Sequence, residues 1–158
     1  MKQWIIFIVS FMSFLAIVLT ILILILGNSP FSNAENKAIA QVKDENRLTE
    51  INRSYVYSNK QKSVTVIGTD EEGQLKAVFV PIDGEEMAET SLEGKITPKQ
   101  ARGIALDGMD VKEVLHTKLG IEDNNVVWEV VFLTKNYKLN YVYISADDGS
   151  VWKRILNL

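Results

Sequence analysis

The sequence predicts an α+β protein in which one long apolar helix precedes two modules, each a helix followed by antiparallel strands. Three observations support this fold class. Residues 5–26 form a long, almost entirely apolar run, and the rest of the chain alternates between capped helical segments and short strand-like runs. The order of these segments then repeats at an offset of 65 residues. The chain therefore reads as an apolar segment followed by two small, related units.

The apolar run from Ile5 to Leu26 has the length and composition of a membrane-spanning helix. Its only residues that are not apolar are Ser10, Ser13 and Thr20. At about 1.5 Å per residue the run covers roughly 33 Å, compared with about 30 Å for the hydrocarbon core of a bilayer. Lys2 precedes it and the next cation is Lys37, so the charge bias predicts a cytoplasmic N terminus. We expect residues 1–27 to be a single-pass anchor in the cell membrane, with the rest outside.

A cleaved signal peptide is the alternative interpretation of this segment. Ser32-Asn33-Ala34 supplies the small residues of a cleavage site. The apolar run is, however, much longer than the roughly 7–15 residues typical of a signal peptide. A retained anchor is therefore favoured.

Composition restricts the function of the part that follows the anchor. The chain has 17 Lys and Arg against 20 Asp and Glu, a net charge of −3, and no cysteine. A mildly acidic surface of mixed charge argues against nucleic acid as a partner. Disulfide and thiolate–metal chemistry require cysteine, so the outer part must be held together by its apolar core alone.

The first module is predicted at residues 32–84. Pro30 is expected to interrupt the helix after the anchor, and Ser32-x-x-Glu35 is a capping box that should open a new helix ending near Arg47. Three strand-like runs follow, at 51–57, 63–69 and 75–82. Residues 85–95 are acidic and lack periodicity, so we expect a linker there.

The second module, at residues 96–158, begins with a stronger helix signal. Thr97-x-x-Gln100 is a capping box with Pro98 at the first helical position, and Gly108 should follow the end of the helix. Four strands are predicted, at 111–118, 126–134, 137–145 and 151–155.

The same order of elements in both modules indicates an internal repeat. A shift of 65 residues pairs Ser32 with Thr97, and it also pairs Thr69 with Thr134. Because a cap, a helix, three strands and a closing turn recur in order, we interpret the modules as two copies of one unit. The strand around Trp128 is apolar on both faces, which predicts that the other module or a partner covers its second face.

The second module resembles the PepSY domain. The resemblance rests on the helix opened by Thr97-x-x-Gln100 with its Ala-x-x-Ile-Ala core, on the strands Trp128-Glu129-Val130 and Tyr141-Val142-Tyr143-Ile144, and on Asp147-Asp148-Gly149-Ser150-Val151. Residues 32–84 resemble a more divergent copy. An anchor followed by two such modules is similar to the YpmB/TseB family of Gram-positive surface proteins.

The resemblance implies a cystatin-like fold, with a helix across a curved antiparallel sheet in each module. It also implies regulation of cell-wall (peptidoglycan) elongation through contact with a penicillin-binding transpeptidase. The family offers no catalytic residues to carry over.

The residues themselves contain no evident catalytic or metal-binding arrangement. His116 is the only histidine and lies in a predicted strand, where an ordinary structural histidine is the favoured interpretation. Ser150-x-x-Lys153 has the spacing of a serine-nucleophile motif, but residues three apart in a strand point to opposite faces. The acidic clusters lack the spacing of a calcium loop. We expect no enzyme activity, no cofactor and no metal.

Aromatic residues of the second module form the candidate partner-binding set. They are Trp128, Tyr137, Tyr141, Tyr143 and Trp152. The three tyrosines are expected on one strand face, with the tryptophans on strands that flank it. Rigid aromatic side chains are typical of binding surfaces, but the alternative is that these residues are half-buried cross-strand pairs between the modules.

Three functions fit these observations. The favoured one is a membrane-anchored, non-catalytic regulator that binds a penicillin-binding protein. The alternative is a PepSY-type inhibitor or modulator of an extracytoplasmic protease. A third is a sensor of a small cell-wall ligand, which would require a concave pocket.

Overall fold

The computed structural model describes residues 2–84 and 86–158, with the backbone alone described for residues 2, 3, 5, 6 and 24–32. The described residues form two helices and eight strands. In chain order these are α1 (Lys2–Asp44), β1 (Glu50–Ser58), β2 (Lys62–Thr69), β3 (Leu75–Pro81), β4 (Ala88–Ser91), α2 (Pro98–Leu106), β5 (Val111–Glu122), β6 (Asn125–Thr134), β7 (Leu139–Ser145) and β8 (Val151–Ile155). The predicted α+β class is confirmed.

Helix α1 runs without interruption from Lys2 to Asp44, so the predicted break at Pro30 and the predicted helix start at Ser32 are wrong. A proline inside a helix removes one hydrogen bond and favours a kink at a cost of about 3 kcal/mol, which the turns on either side can offset. Residue 32 lies in mid-helix, where the capping box has no orphan N–H groups to satisfy. Among the residues that the structure describes, no helix is both long and apolar enough to cross a membrane.

Two four-stranded antiparallel sheets follow, each an up-and-down meander. The first sheet has the order β1-β2-β3-β4 and the second the order β5-β6-β7-β8. The predicted repeat is visible in their bounds, because β2 ends at Thr69 and β6 ends 65 residues later at Thr134. Strand β4 lies in the predicted linker 85–95 and gives the first module a fourth strand. Four residues at a sheet edge carry too short a pattern to be recognised from sequence.

The first sheet is covered on both faces. Its first face packs on α1, where the buried residues are Ala38, Val42, Leu48, Val56, Val64, Val66, Val78 and Val80. Its second face contributes Ala77 and Phe79 to the core of the second module. Helix α2 supplies Ala101 and Ala105 to that same core, so one continuous apolar cluster joins the two modules.

Helix α2 begins as predicted. The Thr97 hydroxyl accepts a hydrogen bond from the Gln100 backbone N–H at 3.3 Å, and the Gln100 side chain accepts one from the Thr97 N–H at 2.8 Å. This reciprocal cap satisfies two donors at the helix start, and Pro98 follows it with a backbone already suited to a helix. The cap fixes the position from which α2 crosses the second sheet.

The modules meet where the edge strand β5 lies against the second face of the first sheet. The Leu119 N–H donates to Tyr55 Oη at 2.7 Å, and the Leu119 carbonyl accepts from Thr65 Oγ1 at 2.8 Å. The ring of Tyr57 lies over Gly120, where a side chain would collide with it. Gly120 pairs with Val127, which lies on the face of β6 opposite to Trp128. The sequence predicted that either the other module or a partner covers this face of β6, and at this end of the sheet Tyr57 of the first module covers it.

Candidate functional site

The outward face of the second sheet carries an aromatic cluster, which we call the tyrosine face and define by Tyr141, Tyr143 and Trp152. Tyr143 is 3% exposed, whereas Trp152 on the edge strand β8 is 36% exposed. Their rings meet edge to face, with centroids 6.2 Å apart and an angle of 81° between the planes. Such a pair is a favourable aromatic geometry. Tyr143 therefore supports Trp152 from below, and Trp152 is presented to solvent.

A polar network lies beside Tyr143 on this face. Glu129 pairs with Tyr143 across the strands, and its Oε1 lies 2.9 Å from His116 Nε2. Burial and the nearby Glu129 raise the pKa of the Tyr143 hydroxyl above its usual value. Asn59 Nδ2 donates to that hydroxyl at 3.3 Å, which ties the tyrosine face to the first module.

A second buried carboxylate lies between the modules. Glu122 is 3% exposed, and Tyr57 Oη donates to its Oε1 at 2.9 Å. Burial raises the pKa of Tyr57, and the charge of Glu129 raises it further, so the donor keeps its proton. Sequence reasoning missed this pair because the strand predicted at 111–118 ended too early. The repeat contained the signal, since Tyr57 and Glu122 are 65 residues apart and occupy matching positions.

Only three of the five predicted partner-binding residues come together. Trp128 lies on the opposite face of the sheet, is 5% exposed and donates from Nε1 to the Ile96 carbonyl at 2.9 Å. Tyr137 lies in the turn before β7 with a φ of 61°, so it does not share a strand face with Tyr141. Its ring is 69% exposed and has Lys112 Nζ 3.6 Å from its centroid. The expectation that Tyr137 shares the strand face of Tyr141 and Tyr143 is wrong, because β7 starts only at Leu139. Trp128 lies on the flanking strand β6 as expected, but α2 covers the face to which its side chain belongs.

The edge strand β8 gives the tyrosine face an open border. It pairs with β7 on one side only, and four of its five residues are exposed. Lys153 lies over the Tyr143 ring at 5.7 Å, and Arg154 is exposed beside it. Exposed cations on an edge strand oppose uncontrolled strand pairing and select an acidic neighbour.

The residues of the Ser150-x-x-Lys153 motif have separate neighbours. The Ser150 hydroxyl and N–H both donate to Asp148 Oδ1, at 2.8 Å and 3.0 Å. These bonds lower the pKa of Asp148 to about 2, the backbone N–H of Ser150 having the largest effect. Ser150 thus stabilises the turn that leads into β8, while Lys153 lies against the Tyr143 ring.

A cleft of about 390 Å³ lies on the other side of the second module, between the first sheet and the start of α2. Its apolar wall is formed by Ile67, Leu75, Leu92, Ile96 and Trp128. Its polar wall includes Asn52 and Arg53 from β1 and Lys95 from the segment before α2. The volume falls in the range of roughly 300–1,000 Å³ typical of ligand pockets. This cleft is a second candidate site, and it has the concave shape that a ligand sensor would require.

Comparison with known proteins relates the chain to cell-wall regulators. Residues 37–81 match the family model described as the cell wall elongation regulator TseB-like domain. The chain is 29% identical over 120 residues to "Probable cell wall elongation regulator TseB" of Bacillus subtilis (strain 168), covering 75% of this chain and 74% of the relative. The solved structure of "YpmB protein from Bacillus subtilis" superposes with a TM-score of 0.67 and 27% identity, over 77% of this chain and 95% of that chain. The chain is therefore similar to the TseB and YpmB proteins over about three quarters of its length.

The two matches cover different parts of the chain. The family model covers the end of α1 and strands β1 to β3, which form the first core. The YpmB structure aligns over 77% of the chain, more than the first module alone can supply.

Proposed function

We propose that this protein is a membrane-anchored, non-catalytic regulator of peptidoglycan elongation that binds a penicillin-binding transpeptidase through its tyrosine face. The proposal of this docking surface rests on one observation. At the exposed edge strand β8, the partly exposed Trp152 packs against the buried ring of Tyr143. An aromatic anchor supported from below and flanked by cations is typical of a protein-binding centre. The name of the TseB relative supports the cell-wall context.

The anchor is proposed at residues 5–26, with the N terminus in the cytoplasm and both modules outside. Its support is the row of exposed apolar side chains along α1. These are Trp4, Phe7, Ile8, Val9, Phe11, Met12, Phe14, Leu15, Ile17, Leu19, Ile21, Leu22 and Ile23. Exposed apolar area of this extent is unfavourable in water and favourable in lipid.

The continuity of α1 limits which partners the modules can reach. The helix continues from the proposed anchor to Ala38, which it buries against the first sheet. The twelve residues from position 26 to position 38 span about 18 Å of helix. The modules would therefore be held close to the membrane surface, where they would meet the membrane-proximal domain of a partner.

A photo-crosslinking experiment in cells tests the docking surface. A photoreactive residue at position 152 should capture a penicillin-binding transpeptidase, identified by mass spectrometry. The matched control is the same residue at Glu71, an exposed position in the turn between β2 and β3. Capture of an extracytoplasmic protease at position 152 would support the inhibitor function instead. Equal capture at both positions would contradict a specific docking surface.

An insertion tests the role of the rigid helix. Twenty flexible Gly/Ser residues between positions 27 and 28 should reduce regulation of wall elongation, because the modules would no longer be held at a fixed height. The same twenty residues placed before Met1 are the control and should have no effect. Full function of the internal insertion would contradict docking at a fixed distance from the membrane.

A further inference from the structure

The cleft between the first sheet and α2 has features of a ligand site that regulation through the tyrosine face does not require. It lies on the Trp128 side of the second sheet, opposite the tyrosine face. Its walls come from three separate parts of the chain, namely strands β1 to β3, residues 92–98 and Trp128. A site assembled in this way changes shape if the modules move relative to one another.

The cleft is positively charged although the chain as a whole is acidic. Among the described residues that line it, Arg53 and Lys95 are cationic and none is acidic. Lys95 is already paired with Asp147. Arg53 pairs with Ile67 through the backbone of the sheet, and its exposed side chain has no ion pair or hydrogen bond among the described residues, so its guanidinium is available to an anion. Planar guanidinium groups bind carboxylates through two parallel hydrogen bonds.

A backbone irregularity directs a polar side chain to the same place. The register of β1 against β2 shifts between Ile51 and Arg53, which marks Asn52 as the extra residue of a β-bulge. Bulges commonly re-aim side chains at binding sites. Asn52 lines the cleft beside Arg53, and its amide offers both a donor and an acceptor.

We propose that this cleft binds a short apolar peptide through its free C-terminal carboxylate. Arg53 receives the carboxylate, and the Asn52 amide bonds the adjacent peptide unit. The apolar side chains of the ligand lie along Leu75, Ile67 and Trp128. A peptide uses both hydrogen-bonding groups of Asn52, whereas a fatty acid would leave them without a function. This inference is independent of the proposed docking at the tyrosine face.

Tryptophan fluorescence of the full-length chain in detergent micelles can test the binding. The substitutions Trp4→Phe and Trp152→Phe leave Trp128, which lines the cleft, as the only tryptophan. Titration with the tripeptide Leu-Ala-Ala should shift its emission in a saturable manner. The same peptide with an amidated C terminus should bind about tenfold more weakly, a difference that corresponds to about 1.4 kcal/mol.

Two variants connect the binding to the cleft. Arg53→Gln should remove the preference for the free acid over the amide, and Leu75→Glu should weaken binding of the acid by placing a carboxylate at the apolar wall. Arg154→Gln, which removes an exposed arginine from β8, is the control and should change neither affinity. Circular dichroism checks that each variant keeps the fold.

Three outcomes would overturn the proposal. The first is equal affinity of the parent protein for the acid and the amide, or no binding of either. The second is a preference for the acid that persists in Arg53→Gln. The third is tighter binding of decanoate than of the tripeptide, which would identify the cleft as a fatty-acid site. None of these results depends on whether position 152 crosslinks to a transpeptidase.

Discussion

The two modules repeat one plan, but their sheets are covered differently. The first sheet packs α1 on one face and the second module on the other, so it is buried on both sides. The second sheet packs α2 on one face, and its other face keeps the half-exposed Trp152. The module in the middle of the chain is thus covered on both faces of its sheet, and the module at the end retains a free surface. We therefore look for docking of a protein partner in the second module, whereas the cleft between the modules also takes Asn52 and Arg53 from the first.

The contact between the modules depends on side chains of the first module that satisfy the backbone of the second. Tyr55 and Thr65 bond the N–H and carbonyl of Leu119, and Tyr57 packs over Gly120. An edge strand with unsatisfied backbone groups is costly to bury. The two modules should therefore unfold together, and changes at this contact should destabilise both.

The largest effect is expected from Gly120→Ala. A Cβ at this position would lie 2.3 Å from Tyr57 Cε1, and Tyr57 is held in place by its bond to Glu122. The ring cannot move away without losing that bond, so we expect a loss of about 3 kcal/mol in the free energy of unfolding. Urea denaturation of the full-length protein in detergent, followed by circular dichroism, measures it.

A second glycine provides the control for this variant. A Cβ at Gly103 in α2 would have no atom within 4 Å. Gly103→Ala should therefore stabilise the protein by about 0.5–1 kcal/mol, the usual gain from alanine in a helix. Equal losses in the two variants would mean that the contact at Tyr57 is not tightly packed.

Alkaline pH should weaken the same contact. Burial raises the pKa of Tyr55 from 10.0 to about 12, so above pH 10 the unfolded chain loses this proton while the folded chain keeps it. Stability is therefore fully present below pH 10 and is lost as the pH rises to about 12. Two pKa units correspond to about 3 kcal/mol at most.

The measurement for this prediction is the free energy of unfolding as a function of pH between 9 and 12. Tyr55→Phe should reduce the slope of the unfolding free energy against pH by the amount that corresponds to about one proton. Tyr137→Phe, at a position that is 69% exposed, is the matched control for the substitution itself. The pKa values of Tyr57 and Tyr143 are also raised, so part of the decline should remain in Tyr55→Phe. A slope that does not change at all in this variant would contradict the contribution of Tyr55.

Removal of one hydroxyl should have an intermediate effect. Tyr57→Phe keeps the packing on Gly120 but leaves the buried Glu122 without its donor, at an expected cost of about 2 kcal/mol. The double variant Tyr57→Phe with Glu122→Leu removes both partners and should recover part of that loss. A double variant less stable than Tyr57→Phe alone would show that Glu122 has another important partner. Denaturant unfolding of both variants measures the difference.

The strands could be predicted because strand signals are local. Strand β8 was predicted at its observed bounds, 151–155, and the repeat offset gave the order of the elements. The helix break at Pro30 was wrong because the continuity of a helix depends on the turns on both sides, and a single residue does not decide it. The short strand β4 is recognisable only from its pairing with β3.

The candidate sites could be predicted only in part. Alternation along β7 placed Tyr141 and Tyr143 on one face, but the face that Trp128 occupies depends on where α2 packs. The cleft has walls that are distant in sequence, so no local pattern indicates it. The pair Tyr57–Glu122 could be predicted in part. The repeat offset of 65 residues relates the two positions, but it does not imply that their side chains are in contact.

The smallest expected effect is the difference in stability between two matched substitutions, one at the start of α2 and one within α1. The repeat pairs Thr97 with Ser32, yet only Thr97 occupies a helix start, because residue 32 lies inside α1. Thr97→Ala should cost about 1 kcal/mol through loss of the cap. Ser32→Ala should be neutral or slightly stabilising, since alanine has the higher propensity for a helix interior. Thermal unfolding of the two variants under the same conditions compares them. A similar loss in both would indicate that a second helix starts at residue 32, and α1 would then not hold the first module at a fixed height.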